Sequence, residues 1–167
     1  EIADLIRKNL PKTAGRHLVG IHPGGYYSSQ RWETGKFAEL AKKIYAEAGI
    51  DLVIIGSDAE KDAVDKMASL SGVPNKKYIC KSIPELAAVL QNMDILVCNN
   101  SGPMHLASAV GCPTVSTLGP TDERLWAPRG KYSVAVKSAA GSVNDIQVEE
   151  MFLAVKRLLE RKHEKTS

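Results

Sequence analysis

The chain has 167 residues, of which 44% are hydrophobic, 25% charged and 5% aromatic. This composition supplies the core of one compact domain and excludes a disordered chain. The net charge of +3 is too small to indicate a nucleic-acid partner. The sequence also contains no run of about 18 apolar residues, so no transmembrane segment is predicted.

Short apolar runs alternate with helical periods along the chain. The runs predict strands over residues 17–22, 51–55, 77–80, 94–98, 113–118 and 133–136, the last at an edge. The periods predict helices over residues 2–10, 34–48, 103–110 and 145–161, with two more beginning at Asp58 and at Ser82. Residues 119–124 are expected to form a turn, and 162–167 a frayed polar tail. This alternation predicts an α/β fold, a Rossmann-like parallel sheet with helices on both faces.

Three helix starts carry specific signals. Asp58 is the expected N-cap of the third helix. Ser82 and Glu85 match a capping box, in which each side chain accepts from the other residue's backbone N–H, and Leu86 is expected on the buried face of that helix. Pro103 fits the first position of the next helix, where its missing N–H costs nothing.

The loop after the first strand reads His22-Pro-Gly-Gly-Tyr-Tyr-Ser-Ser-Gln-Arg-Trp32. Ligands of open parallel sheets bind at the carboxyl ends of the strands, where this loop lies. Gly24 and Gly25 can adopt positive φ and expose backbone N–H groups, and the cation Arg31 follows. These groups suit an anion such as phosphate. A plain solvated turn fits the same residues equally well.

The turn after the fourth strand, Asn99-Asn-Ser-Gly-Pro-Met-His105, leads into a helix. A helix start offers free N–H donors and a partial positive charge, so this turn also favours anion binding, although His105 could serve only as a cap. Glu60 follows the second strand and could accept hydrogen bonds from ribose hydroxyls, or it could simply complement the helix dipole.

Other familiar sites are absent from the sequence. It has neither a Walker-type phosphate loop nor the Gly-x-Gly-x-x-Gly dinucleotide fingerprint, and its histidines lack metal-ligand spacing. Trp32 and Trp126 could be packing anchors or ligand contacts. Cys80, Cys98 and Cys112 are scattered through apolar stretches, which predicts reduced core thiols and a cytoplasmic location.

Four motifs occur in an order that resembles the ADP-heptose:lipopolysaccharide heptosyltransferases, glycosyltransferase family 9. They are His22-Pro-Gly-Gly…Gln-Arg-Trp32, Ile54-Ile-Gly-Ser57…Glu60, Asn99-Asn-Ser-Gly-Pro-Met-His-Leu-Ala-Ser-Ala109 and Leu118-Gly-Pro-Thr-Asp122. The resemblance implies the C-terminal, donor-binding half of a GT-B enzyme, with residues 1–167 forming a single nucleotide-sugar-binding domain. It further implies inverting transfer of heptose to the lipopolysaccharide inner core, with no cofactor and no bound metal.

The resemblance also assigns roles to individual residues. The implied donor-binding set is Gly24, Gly25, Gln30, Arg31, Glu60, Lys81, Asn100, Ser101, Gly102, Met104 and His105. In this set Glu60 contacts the ribose, Lys81 lies beside the adenine, and most of the others surround the diphosphate. Gln30 stands where the family usually has Lys, and Asn100 where it usually has Asp.

The remaining parts of the enzyme are expected outside this chain, which we interpret as a piece of a longer protein. The implied N-terminal half would supply the acidic general base and most of the site for the lipopolysaccharide acceptor, and the full enzyme could associate peripherally with the inner membrane. Two alternatives stay open: a related GT-B domain that uses a UDP- or GDP-sugar, and a non-catalytic nucleotide-binding module. The absent fingerprint disfavours a free-standing dinucleotide-binding domain.

Overall fold

The computed structural model describes residues 2–10, 12–47, 49–119 and 122–166, and strands and helices alternate within these ranges. The strands are β1 (His17–His22), β2 (Ile50–Ser57), β3 (Lys76–Cys80), β4 (Ile95–Cys98), β5 (Thr114–Leu118) and β6 (Ser133–Lys137). The helices are α1 (Ile2–Asn9), α2 (Thr34–Ala46), α3 (Lys61–Ser71), α4 (Ile83–Gln91), α5 (Gly102–Ala109), α6 (Glu123–Trp126) and α7 (Val148–Thr166).

The strands form one parallel sheet in the order β3-β2-β1-β4-β5-β6, with β6 at an edge as predicted. This is the strand order of Rossmann-like folds. The direction of winding reverses between β1 and β4, where His22 lies opposite Cys98. Chains leaving two neighbouring strands at such a reversal diverge to opposite faces of the sheet and leave a crevice at its carboxyl edge.

Helices cover both faces of the sheet, which confirms the predicted architecture. Successive strand residues point to opposite faces, so Val19 and Ile21 join one buried cluster while Leu18 joins the other. The first cluster receives Leu40 from α2, Met67 from α3 and Val155 from α7, among others. The second receives Ile6, Leu90 and Met104 from α1, α4 and α5.

The start of α3 differs from the prediction. Residues Asp58–Glu60 form a 3₁₀ turn, so α3 begins only at Lys61 and Asp58 is not its N-cap. The carboxylate of Glu60 instead accepts from the N–H and hydroxyl of Ser57, at the beginning of that turn. The carboxylate of Asp58 points outward and pairs with Lys81.

The starts of α4 and α5 agree with the prediction in part. Ser82 is the N-cap of α4 and accepts from the Glu85 N–H, as predicted. The Glu85 carboxylate does not complete a capping box, because it accepts from the Tyr78 hydroxyl and the Lys81 N–H. Leu86 is only partly buried. In α5 the first residue is Gly102, so Pro103 takes the second position.

The carboxyl-terminal third also differs in detail. A short helix, α6, occupies the end of the predicted turn, of which residues 120 and 121 lie outside the described ranges. The last helix begins at Val148, later than predicted, because Val143–Asp145 forms a separate 3₁₀ turn. The predicted frayed tail is wrong as far as Thr166, since α7 continues through it without a Gly or Pro to end it. The last residue, 167, and Ala48, predicted to end the second helix, lie outside the described residues.

The three cysteines are buried and reduced, which confirms their prediction as core thiols. Burial raises the pKa of Cys80 to about 12 and also raises that of Cys98, so both are protonated at neutral pH. Within the described ranges, no helix combines the length and apolar character that a bilayer span requires.

Candidate functional site

Asn99 ties together the two loops that were predicted to bind a ligand. Its fully buried amide donates to the carbonyl oxygens of Pro23 (3.2 Å) and Gly24 (2.9 Å). Its Oδ1 accepts from the Trp32 N–H (2.9 Å) and the Thr117 hydroxyl (3.0 Å). These four bonds use the hydrogen-bonding capacity of the amide. The loop after β1 and the turn after β4 are therefore fixed side by side.

A cavity of about 330 Å³, here called the loop cavity, lies where these loops meet the start of α5. Its lining includes the predicted site residues Gly25, Gln30, Asn100, Ser101, Gly102 and His105. The structure thus brings together predicted residues from two separate segments of the sequence, 25–30 and 100–105.

Aromatic side chains form another wall of the loop cavity. Tyr26 and Tyr27 pack edge to face at 4.9 Å, and Trp126 joins them from α6. All three are largely exposed. Trp32 has the opposite role, because it is buried against Phe37 and donates to the Ile146 carbonyl. Sequence analysis left the two tryptophans undecided and missed the tyrosines, although adjacent aromatic residues in a polar loop were an available signal.

The start of α5 supplies unpaired backbone amides to the loop cavity. Pro103 has no N–H, and the Met104 N–H donates to the Ser101 carbonyl. Among the described residues, the amides of Ser101 and Gly102 donate to no protein group. The Met104 side chain is buried in the core, so Met104 has no free polar group to offer a ligand, contrary to its place in the predicted set.

The two glycines of the first loop differ in what surrounds them. Neither Gly24 nor Gly25 has a positive φ, so neither uses the left-handed conformation that glycine permits. Gly24 is needed for space instead, because a Cβ there would lie 2.1 Å from Oε1 of Glu60. At Gly25 an added Cβ would meet Arg31 at an ordinary 3.4 Å.

Arg31 lies beside the loop cavity. Its guanidinium donates to the carbonyl oxygens of Gly25 (Nε, 2.6 Å) and Tyr26 (Nη2, 3.3 Å). The side chain is exposed and is not part of the cavity lining. Arg31 therefore holds the loop in shape and places a positive charge at its edge.

A second cavity of about 280 Å³, here called the Glu60 cavity, lies on the other side of the α5 start. Glu60 and Lys81 line it, together with the mostly apolar side chains of Ile83, Leu86 and Pro103. The Lys81 ammonium pairs with Asp58 at 2.5 Å. The predicted ribose and base contacts, Glu60 and Lys81, therefore share one cavity. The other cavity holds part of the predicted diphosphate set, whereas Gly24, Arg31 and Met104 lie outside its lining.

The model of glycosyltransferase family 9 (heptosyltransferase) matches residues 3–155, nearly the whole chain. The chain belongs to glycosyltransferase family 9. It is 26% identical over 118 residues to lipopolysaccharide heptosyltransferase 3 of Escherichia coli, covering 68% of this chain and 34% of that protein. It is 29% identical over 113 residues to lipooligosaccharide heptosyltransferase 2 of Campylobacter jejuni, covering 64% of this chain and 35% of that protein.

Solved structures share the fold. Escherichia coli ADP-heptose lipopolysaccharide heptosyltransferase II superimposes with a TM-score of 0.83 at 21% identity, over 97% of this chain and 52% of the other. Escherichia coli heptosyltransferase WaaC with ADP superimposes with a TM-score of 0.73 at 24% identity, over 95% and 48%. This family 9 chain therefore spans about half the length of the solved structures and about a third of the curated relatives above.

The Glu60 carboxyl group, which lines the Glu60 cavity, has a strongly lowered pKa. Burial raises the pKa of Glu60, but the hydrogen bond and charge of His22 and the two hydrogen bonds from Ser57 outweigh it. The net effect lowers the pKa from 4.5 to about 2. In this family 9 chain Glu60 is therefore an acceptor of hydrogen bonds at physiological pH.

This shift predicts a pH-dependent stability. Because the folded-state pKa is depressed, the stabilisation is complete above about pH 4.5 and is lost as pH falls toward 2. We expect Glu60→Gln to cost about 3 kcal/mol at pH 6 and much less at pH 2.5, an order of magnitude set by the size of the shift. Urea unfolding of the wild-type chain and of Glu60→Gln at each pH measures the difference in the free energy of unfolding. A difference that does not change with pH would contradict the lowered pKa of Glu60.

His105 lies exposed between two cavities. It lines the loop cavity and also an adjoining cavity of about 350 Å³ whose lining includes Leu125 and Arg129. Across the described part of the chain, no three His, Cys, Asp or Glu side chains cluster as metal ligands would.

Proposed function

We propose that this chain is the donor-binding half of an inverting, metal-independent heptosyltransferase that transfers heptose from ADP-heptose to the inner core of lipopolysaccharide. The supporting observation is the pair of cavities on either side of the α5 start, at the point where the strand order reverses. One cavity offers a carboxylate among apolar walls, and the other offers unpaired amides beside a cation. A nucleoside diphosphate needs both kinds of surface.

The proposed donor spans the two cavities. Its nucleoside lies in the Glu60 cavity, with the ribose hydroxyls on Glu60 and the base beside residues 81–83. Its diphosphate lies at the amides of Ser101 and Gly102, where the α5 dipole adds a partial positive charge. Its sugar then faces the aromatic wall of the loop cavity, near Asn100 and His105.

The chemistry assigned to this half is stabilisation of the leaving group. As the glycosidic bond breaks, the departing diphosphate gains negative charge. Preorganised N–H donors and the nearby Arg31 cation stabilise that charge without having to reorganise, which lowers the barrier. The acceptor hydroxyl also needs a base, which we assign to the other half of the enzyme together with most of the lipopolysaccharide site.

The relatives support the choice of nucleotide and acceptor. Two of the neighbouring structures are of WaaC with ADP and with ADP-2-deoxy-2-fluoro heptose, and the two curated relatives described above are heptosyltransferases of lipopolysaccharide or lipooligosaccharide. By analogy we propose ADP as the nucleotide of this chain. A cytoplasmic location, with peripheral association of the full enzyme at the inner membrane, stays a prediction.

Thermal unfolding with added nucleotides tests the proposal. ADP at about 100 times its dissociation constant should stabilise the fold by about 2.7 kcal/mol, a shift of roughly 5–10 °C for a chain of this size. Arg31→Ala and His105→Ala should reduce the shift, whereas Arg157→Ala, on the distant exposed face of α7, should not. A larger thermal shift with UDP or GDP than with ADP would identify that nucleotide, and not ADP, as the one carried by the donor. No shift with any of the three would contradict the donor-binding function.

A further inference from the structure

His22 is a buried polar residue to which the proposed mechanism gives no role. It ends β1, and only 2% of its surface is exposed. Its Nε2 lies 3.2 Å from Oε2 of Glu60. Its Nδ1 is buried and has no hydrogen-bond partner among the described residues. A buried imidazole with one unpaired nitrogen is costly. An apolar residue would fill the same space without that cost, so packing alone does not explain a histidine here.

Three residues surround the carboxylate that His22 contacts. Oε2 of Glu60 accepts from the N–H and the hydroxyl of Ser57, both at 2.9 Å, as well as from His22. Oε1 lies against Gly24, where even a methyl group would collide with it. All the hydrogen bonds that the described residues make to this carboxylate end on Oε2. The lone pairs of Oε1 are therefore available to a ligand.

We infer that His22 is a positioning residue that holds Glu60 for recognition of the ribose hydroxyls, so that the Glu60 cavity selects ribonucleotides over nucleotides lacking those hydroxyls. The inference deepens the proposed function and rests on it. A carboxylate only accepts hydrogen bonds, and the vicinal hydroxyls of ribose are donors that match it. A glutamate fixed by its neighbours loses little conformational freedom when it binds them.

The test compares two nucleotides on the full 167-residue chain. Dissociation constants are measured by calorimetry for ADP and for 2′,3′-dideoxy-ADP, which lacks both hydroxyls. We expect the wild-type chain to prefer ADP by roughly tenfold or more, the effect of losing a hydrogen bond to a charged group. His22→Leu should weaken ADP by a similar factor and leave 2′,3′-dideoxy-ADP unchanged, so that the preference falls to about one.

Further variants separate positioning from a general structural role. His22→Gln, which can place an N–H near the position of Nε2, should recover most of the preference. Glu60→Gln should abolish the preference for ADP over 2′,3′-dideoxy-ADP. The double variant His22→Leu/Glu60→Gln should bind ADP as tightly as Glu60→Gln alone, because His22 acts through Glu60. His17→Gln, at the opposite end of β1, should match the wild-type chain.

The outcomes are distinguishable from those of the proposed function. If the wild-type chain binds none of ADP, UDP and GDP, the proposed function fails and the inference fails with it. If the chain binds ADP but His22→Leu keeps the wild-type preference, only the inference is overturned. Equal weakening of both nucleotides by His22→Leu would also overturn it, because that result indicates a structural role. If His22→Leu does not fold, His22→Gln and Glu60→Gln decide. The inference requires that His22→Gln keeps most of the preference for ADP over 2′,3′-dideoxy-ADP and that Glu60→Gln loses it, and any other result overturns the inference.

Discussion

Replacing Asn99 with alanine is expected to lower the free energy of unfolding by about 3–5 kcal/mol. The side chain is completely buried and makes four hydrogen bonds, three with the loop after β1 and one with β5. Alanine would leave the Trp32 N–H and the carbonyls of Pro23 and Gly24 without their partner. Each buried group left unsatisfied costs about 1–3 kcal/mol, and relaxation of the exposed loop ends recovers part of the sum.

The effect of Asn99→Ala should extend to ligand binding. Without the amide, the loop after β1 is no longer fastened to the turn after β4. We therefore expect ADP binding to weaken even at temperatures where the variant is fully folded. Equilibrium urea unfolding measures the stability, and calorimetry measures the binding.

The matched control is Asn92→Ala. This asparagine also donates from its side chain to a backbone carbonyl, that of Ala88, but it is exposed. Its replacement should change the free energy of unfolding by less than about 0.5 kcal/mol. If Asn99→Ala were as mild as Asn92→Ala, the four-bond network would not be the element that joins the loops.

The fold could be predicted because its determinants are local. Apolar runs and helical periods depend on residues close in sequence, and they identified each strand of the sheet and both covering layers. Errors fell at element ends, where short-range alternatives compete. The 3₁₀ turn after β2 is one such case, since Ser57 and Asp58 are both good caps, and the structure uses Ser57, which forms a capping box with Glu60.

The site was predictable to the level of its loops. Motif order and strand ends indicated the glycine loop and the turn before α5. Which residues of these two loops are buried and which line the cavity was not predictable, because that depends on contacts between segments. Asn99 and Asn100 are adjacent and chemically identical, yet the first is buried among backbone groups while the second lines the loop cavity. Met104 belongs to the same motif, but its side chain is buried in the core.

Two glycines of the site, Gly102 and Gly24, differ in whether the fold itself requires glycine. At Gly102 the backbone φ is ordinary and an added Cβ would meet no atom within 4 Å. The fold therefore does not require glycine there. Gly102→Ala should raise the free energy of unfolding by about 0.4–1 kcal/mol, because alanine has less freedom to lose when the chain folds. The new methyl group projects beside the amides that we assign to the diphosphate, so ADP binding should weaken by roughly tenfold or more, a loss of at least 1.4 kcal/mol.

Gly24→Ala should have the opposite effect on stability. Its methyl group would lie 2.1 Å from Oε1 of Glu60, so the carboxylate must move and its hydrogen bonds to Ser57 and His22 must break. We expect a loss of about 1–3 kcal/mol, the usual cost of overpacking a buried site. Urea unfolding and ADP titration of Gly24→Ala and Gly102→Ala check the signs of these effects.

At Gly102, alanine that stabilises the fold and yet weakens ADP binding would be direct evidence of a binding surface. If Gly102→Ala bound ADP as tightly as the wild-type chain, the diphosphate would not lie at the start of α5.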